Sequence, residues 1–418
     1  MIDKEIVVLG AGMVGVCSAL ALQRKGLEVT LVERLEVGGE TSFGNAGMIT
    51  PSSLIPFNNP NIFKQLPKFL SNKSDGFQYS TGYLMSELPA LFKFLAAATP
   101  QSTSQRINHL HALIERSMHL HKQWQQAETG VASLRDLGWL KLYRSKASYQ
   151  SAQYELDIYQ QYGIDTKSFD KAQLQQEMAY LNNTFHKGVL IKGALSVASP
   201  SALTKAYYDE FVKAGGKLLT LDVDSLAQQG ARWVLRAEGK SDVICNQVVV
   251  AAGPWSKALL AKVNLKIPMI FERGAHREFH YDENTPAQQH LTRPIHDVQA
   301  AFVATPIHNG LRVCCGVELN AQNAQYLDNQ LNTIEKSARQ VLHIPNKKTS
   351  QWQGARPTMP DSLPVIGECQ MRGLWLNTGH QHIGFSTGPG SGEMLADLMT
   401  GQPSHVDASA FSPKRFNI

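Results

Sequence analysis

Apolar residues gather in this chain in two ways. Short, nearly continuous runs stand at Ile6–Leu9, at Val29–Val32, within NQVVVAAGPWS (246–256) and within GLWLNTG (373–379). Such runs mark strands buried on both faces of a parallel sheet. Residues 217–237 and 266–318 instead alternate apolar with polar and read as antiparallel strands with one wet face. Helical spacing follows the first strand from Met13 to Lys25, with Gly26 as its stop, and recurs at 104–128 and at about 196–213. From Pro51 to Pro100 no period holds, and loops with short helices are expected. The pattern predicts an α/β fold with two interleaved, discontinuous domains. Residues 1–55, 196–255 and 345–418 form a Rossmann-like domain; 56–195 and 256–344 form an antiparallel-sheet (α+β) domain.

Composition narrows the function only a little. A net charge of +5 over 418 residues, with no sustained Lys/Arg block, argues against a nucleic-acid partner. The five cysteines include no CxxC pair and are odd in number, so neither a zinc site nor a disulfide framework is indicated. That fits a reducing compartment. The N-terminal apolar run carries acidic flanks and leads straight into a glycine-rich turn, which makes it a strand and not a signal peptide. No stretch approaches the roughly 20 apolar residues of a membrane span. A cytoplasmic protein, free or peripheral on the inner face of the cytoplasmic membrane, is expected.

The turn after the first strand carries chemistry. Gly10, Gly12 and Gly15 spell G-x-G-x-x-G between a strand and a helix that opens at Met13 and Val14. Gly10 permits the tight turn, Gly12 lets the backbone approach a pyrophosphate, and Gly15 lets helix and strand pack closely. Free N–H groups and the positive end of the helix dipole favour phosphate there. Glu33, followed by Arg34, ends the second strand, where an acid can bond a ribose hydroxyl. This is the adenosine half of a dinucleotide site. Nothing resembling a second nucleotide fingerprint follows: Gly388, Gly390 and Gly392 have no strand immediately before them and are expected to form a loop that makes a close backbone approach.

Five stretches carry a resemblance: VVLGAGMVG (7–15), ETSFGNAG (40–47), VVVAAGPWS (248–256), GARPTMPDSLPVIG (354–367) and GHQHIGFSTGPGSGEMLADLMTG (379–401). Together they resemble the D-amino-acid oxidase and dehydrogenase superfamily of flavoproteins, nearest its bacterial D-amino-acid dehydrogenase branch. The resemblance implies an FAD-binding domain, FAD held noncovalently and extended, and Ser42, Asn45 and Ala46 beside the flavin, with Gly253, Gly379 and Gly384 in contact with the cofactor. It implies that Arg356 pairs with a substrate carboxylate, a grip that a planar guanidinium makes with two parallel hydrogen bonds. His380 is a candidate flavin or substrate contact, and 272–276 (ERGAH) a candidate substrate wall, although Glu272 and Arg273 could equally pair on a surface. Cys314 and Cys315 lack the pattern of a cysteine-tethered flavin and read as packed strand residues. A helix starting near Gly390 would aim its positive end at the flavin.

The implied reaction is oxidation of a small D-amino acid, or a D-proline-like imino acid, by hydride transfer from Cα to flavin N5. The product is an imine and then a 2-oxo acid. Electrons would pass to a quinone or other respiratory acceptor, with apolar, lysine-bearing segments in 54–100 touching a membrane surface. An oxygen-using amino-acid, glycine or sarcosine-type oxidase and a noncatalytic flavin-binding partner are the alternatives. His109, His111, His119 and His121 lie on one predicted helix without i,i+4 spacing, so they do not suggest a metal site and are expected on a solvated or interdomain face.

Overall fold

The structure is a computed structural model that describes all 418 residues apart from 73, 75, 126–129, 183, 326 and 327, and apart from the side chains of 65, 67 and 68. Its first sheet has eight strands. Ile2–Leu9 lies at the centre, parallel to Val29–Glu33 on one side and to Val243–Val250 on the other. Ile6, Val7, Val8, Val248, Val249 and Val250 are all buried to within 1% of full burial, which is why these runs need no polar positions. Val243–Val250 forks: its first residues pair with Arg232–Arg236 and its last with Leu374–Thr378.

Only part of 217–237 forms the expected antiparallel hairpin. Ser225–Gln229 and Arg232–Arg236 do so, whereas Lys217–Thr220 runs parallel to Val29–Glu33 at the sheet edge. As an edge strand it is exposed or half-buried along its whole length, so its polar positions do not call for an antiparallel partner.

The second sheet has ten strands and is mostly antiparallel. Its spine is a pair of long strands, Ile270–His280 and Lys348–Thr358, held in a register that sets Glu272 opposite Arg356 and Gly274 opposite Gly354. The sheet is not uniformly antiparallel: Ile295–Asp297 runs parallel to Trp139–Tyr143, and Val317–Leu319 to Phe77–Tyr79.

Three helices pack on one another against the first sheet. Met13–Arg24 buries Met13, Val16, Cys17 and Leu20. The long helix spans Pro100–Trp124, opened by Thr99, whose hydroxyl accepts the Ser102 N–H at 3.2 Å. The last four residues of the region predicted helical include 126–128, outside the described residues. Gly384–Met399 packs on both of these helices.

That last helix corrects two expectations. It begins at Gly384, six residues before Gly390, and Gly388, Gly390 and Gly392 lie inside it, not in a loop. The close approach is real, but it is between helices. A β-carbon on Gly392 would stand 2.7 Å from the Cys17 carbonyl, and one on Gly390 3.1 Å from Leu113 O. Tight packing on two neighbours offsets the roughly 1 kcal/mol that each glycine costs a helix.

Pro389 also lies within this helix and cannot bond the Phe385 carbonyl four residues back. His121 takes that role: its Nε2 lies 3.1 Å from Phe385 O and 3.2 Å from Ser386 O, while Nδ1 meets the Tyr207 hydroxyl at 2.8 Å. Carbonyls only accept, so Nε2 carries the proton and Nδ1 accepts from Tyr207. One turn earlier, Ser117 Oγ accepts the Gly390 N–H at 3.1 Å. His121 is therefore fully buried between Tyr207 and Gly384–Met399, so of the solvated or interdomain face expected for the four histidines the solvated one does not hold for it; His119 is exposed, and His109 and His111 are half-buried. Among the described residues no helix is long and apolar enough to cross a membrane, and no cluster of His, Cys, Asp or Glu could hold a metal.

Candidate active site

One cavity of about 500 Å³ runs from the end of Val29–Glu33, past the glycine turn, to the second sheet. Of the candidate cofactor and catalytic residues, Gly10, Gly12, Met13, Val14, Glu33, Arg34, Ser42, Asn45, Ala46, Gly253, Arg356, Gly379, His380 and Gly384 line it and Gly15 does not. Gly15 sits behind the wall, where a β-carbon would come 2.9 Å from the Gly10 carbonyl carbon. It shapes the turn without facing the cavity.

At the nucleotide end, Gly10 has φ +100°, and a β-carbon there would meet Ala251 O at 2.7 Å. Only glycine fits that turn. Glu33 Oε2 accepts the Ala11 N–H at 2.7 Å and Oε1 the Arg34 N–H at 2.8 Å, which fixes the carboxylate at the strand end and leaves lone pairs for a ribose. The Arg34 guanidinium stacks 4.1 Å over the Trp255 ring and pairs with Glu40 at 2.6 Å. Ser42 Oγ accepts the Met13 N–H at 2.8 Å and so ties the 40–47 loop to the helix start.

That loop is also gripped from the second sheet. Arg312, 3% exposed, donates to the carbonyls of Phe43 and Asn45 and pairs with Glu278 at 2.6 Å. Glu278 in turn accepts from the Ser350 hydroxyl at 2.7 Å. Trp352 fills the space left by Gly44 and Gly354 and stacks on His276, with ring centroids 5.6 Å apart. Arg312, Glu278, Ser350 and Trp352 carried no sequence signal. Arg312 sits in LRVCCG as one polar position of an alternating strand, and only the fold shows that it crosses to the loop.

At the far end, Arg356 projects from Lys348–Thr358 across Gly274, where a β-carbon would stand 2.8 Å from its Cζ. Among the described residues no hydrogen bond or ion pair holds its guanidinium. Glu272, its register partner, is 5% exposed. Burial pushes the Glu272 carboxyl up and the nearby Arg356 guanidinium opposes that rise. Arg273 pairs with Glu318 at 3.4 Å, both buried, so 272–273 form no surface pair; Gly274 and Ala275 line the cavity. Cys314 and Cys315, each 7% exposed, are packed strand-end residues that also line it. Burial raises the Cys314 thiol to about 12, so it stays protonated, and the Cys315 sulfur accepts the Ala275 N–H at 3.1 Å.

His380 is 3% exposed, its Nε2 has no hydrogen-bond partner among the described residues, and burial lowers its pKa to about 3. His382, two residues on, was not singled out from the sequence. It is an exposed residue that lines the cavity, and the protein packed around its ring together with the Arg356 guanidinium lowers its pKa to about 4.

The residues fit FAD. A side-chain-free turn at a helix start, a ribose acid, an elongated cavity, and an orphaned buried nitrogen on His380 near its other end make a cradle for an extended dinucleotide. Known proteins agree. A D-amino-acid oxidase of Bradyrhizobium diazoefficiens is 28% identical over 99% of both chains. A D-amino acid dehydrogenase of Paramagnetospirillum magneticum is 27% identical, again over 99% of both. The crystal structure of glycine oxidase from Bacillus cereus superposes with a TM-score of 0.72, covering 96% of each chain at 20% identity, which shows a shared fold. The family model for DAO, FAD dependent oxidoreductase, matches residues 5–398. With the fingerprint, the 40–47 loop and Arg356 on one cavity, and the match running across both sheets, the chain belongs to the DAO family of FAD-dependent oxidoreductases.

Proposed function

We propose that the protein oxidises a small D-amino acid, or a D-proline-like imino acid, at the carbon bearing nitrogen. The observation that carries this is Arg356: a guanidinium held by no hydrogen bond or ion pair among the described residues, on the wall of the cavity whose other end holds the nucleotide fingerprint. Two parallel hydrogen bonds from its fork to a carboxylate fix the ligand in rotation as well as position, and so orient Cα–H. FAD, when bound, supplies the hydride acceptor. The mainly apolar wall lowers the local dielectric and strengthens the Arg356–carboxylate pair. The imine product then hydrolyses in water to a 2-oxo acid and ammonia, or leaves as a cyclic imine. The names of the two curated relatives support amino-acid chemistry.

For the acceptor, we infer a quinone or other respiratory carrier reached at a membrane surface. The support is a cluster of exposed large apolar residues, Phe63, Leu70, Met85, Leu88 and Phe92, with a relative named dehydrogenase. The relative named oxidase favours oxygen as the second reading. An anaerobic panel of both enantiomers of the small amino and imino acids, scored by bleaching of the flavin, tests the substrate. Bleaching by none of them would remove the proposal. Turnover with a quinone analogue and little peroxide supports the dehydrogenase reading; stoichiometric peroxide replaces it with the oxidase.

A further inference from the structure

The turn that joins Leu374–Thr378 to Gly384–Met399 is pinned to the strand carrying Arg356. Gln381 N–H donates to Pro357 O at 2.9 Å, and His380 bridges Thr358. Residues 382 and 356 each lie one position from that hydrogen bond. Gln381 holds φ +51°, a left-handed conformation that a side chain seldom adopts, so the turn reverses sharply at that point. Both histidines line the cavity, but His380 is buried whereas His382 is exposed in it, near enough to Arg356 to feel its charge. No hydrogen bond or ion pair to the His382 ring is made by the described residues.

The cavity wall has an uneven supply of acceptors. Its carboxylates are Glu33, Glu40, Asp222 and Asp224. All four belong to the nucleotide end: Glu33 and Glu40 by their bonds to Ala11 and Arg34, Asp222 and Asp224 by following the strand beside Val29–Glu33. Glu272 is near Arg356 but buried outside the wall. An amino acid gripped at Arg356 therefore meets no carboxylate for its ammonium group.

We propose that His382 is the amine-binding residue of the site, accepting a hydrogen bond from the substrate nitrogen while Arg356 holds the carboxylate. This rests on the amino-acid reading above and names the second anchor it needs. An ordinary imidazole is already mostly neutral at pH 7 and the Arg356 charge opposes its protonation further, so the ring presents a lone pair and does not repel an ammonium. Two anchors on one α-carbon also fix which of its substituents points along the cavity, which one anchor cannot do.

The test compares His382→Asn, which keeps an acceptor, with His382→Leu, which fills similar space without one. Both are made in the FAD-loaded full chain. Two quantities are read: the amino-acid concentration giving half-maximal anaerobic flavin reduction, and the Kd of propionate, a carboxylate without an amine, from its perturbation of the flavin spectrum. His382→Leu should weaken the amino acid at least tenfold, the loss of about one hydrogen bond to a charged group, and propionate less than about twofold. His382→Asn should recover part of the amino-acid affinity. Arg356→Ala should weaken both ligands. If His382→Leu weakens both ligands alike, or neither, the inference is wrong although the amino-acid function stands. If the unaltered protein is reduced by no amino acid, the function itself fails and takes this inference with it.

Discussion

Gly274 lies against the guanidinium of Arg356 across two antiparallel strands, and a β-carbon on it would stand 2.8 Å from Arg356 Cζ. The glycine is thus part of the aim of the arginine. Because the clash is with the end of a flexible side chain, Gly274→Ala should fold and lose under about 1 kcal/mol of stability while displacing the guanidinium. Misplacement on the scale of an ångström lowers catalytic efficiency by about tenfold to a hundredfold. Rapid-reaction flavin reduction beside a thermal melt checks this. Unchanged reduction by the best substrate would show that the position of the guanidinium does not matter.

Arg356 itself should be the most sensitive position at the substrate end. Removing a charge-assisted double hydrogen bond and the alignment it enforces should lower efficiency at least a hundredfold in Arg356→Ala, on the order of 3 kcal/mol. Lysine should restore only part, since a point ammonium cannot reproduce the fork. Flavin content should stay near normal, because the glycine turn is at the other end of the cavity. The control is an amine without a carboxylate, which should lose much less; equal losses for both substrates would make Arg356 structural.

His121 substitutes for the N–H that Pro389 lacks. His121→Phe should therefore leave Phe385 O, Ser386 O and the Tyr207 hydroxyl without partners, at about 1–3 kcal/mol for each group left buried. Pro389→Ala returns an N–H to the helix, so the same histidine change should cost less in that background. A double-mutant cycle by denaturant unfolding measures the coupling. Strict additivity would mean that the imidazole does not serve the Pro389 gap.

The same burial makes a pH prediction. His121 has its pKa lowered from 6.5 to about 4, and the cause is desolvation. The group is neutral in both states above 6.5, so its effect on stability is absent there. As pH falls below 6.5 the unfolded chain takes up a proton that the folded chain refuses, and stability is lost until the folded value near 4 is passed. At pH 5 the loss from this residue alone is about 2 kcal/mol. Unfolding midpoints between pH 7 and 5 should fall accordingly, and fall less in His121→Phe. Parallel slopes for both proteins would assign the acid sensitivity elsewhere.

How legible each part was depended on whether its signal was local. The glycine turn, Glu33 and the parallel strands were readable because strand, turn and helix are contiguous and each demands its residue types. Arg356 and the 40–47 loop were readable through resemblance. A helix was expected from near Gly390, but its first turns over 384–389 were not, since three glycines and a proline argue for a loop until the neighbours that they fit, Cys17 and Leu113, are in place. Arg312, Trp352 and His382 were invisible for a related reason. Each acts across a long separation in sequence, Arg312 on carbonyls 267 and 269 residues away, and no period along the chain records such a contact.

The last prediction concerns the exposed apolar face. Met85 on the short helix Thr81–Ser86 is 63% exposed, and Leu88 and Phe92 on the next helix, Leu88–Ala96, are 37% and 67% exposed; Phe63 and Leu70 on Ile62–Leu70 are 49% and 71% exposed. Ile62 and Phe69 pack with Ala90 and Phe94, so these two helices share one small core and present their outer sides together. Lys64 and Lys93 are exposed on the same helices. Glu87, the one described acid between 57 and 98, is occupied by Lys257 at 2.6 Å. Apolar side chains flanked by unopposed cations suit an anionic bilayer surface. Burying a Phe or Met side chain contributes about 1.5–3 kcal/mol, so replacing both Met85 and Phe92 by Glu should weaken binding at least a hundredfold. Co-sedimentation with phosphatidylglycerol-containing vesicles measures it, and phosphatidylcholine vesicles should bind less, with the difference shrinking at high salt. Flavin reduction by substrate should be unchanged in the double variant, while turnover with a membrane-dissolved quinone should fall with vesicle binding. A protein that ignores both vesicle types, or binds them equally with and without the two glutamates, does not use this face to meet a membrane.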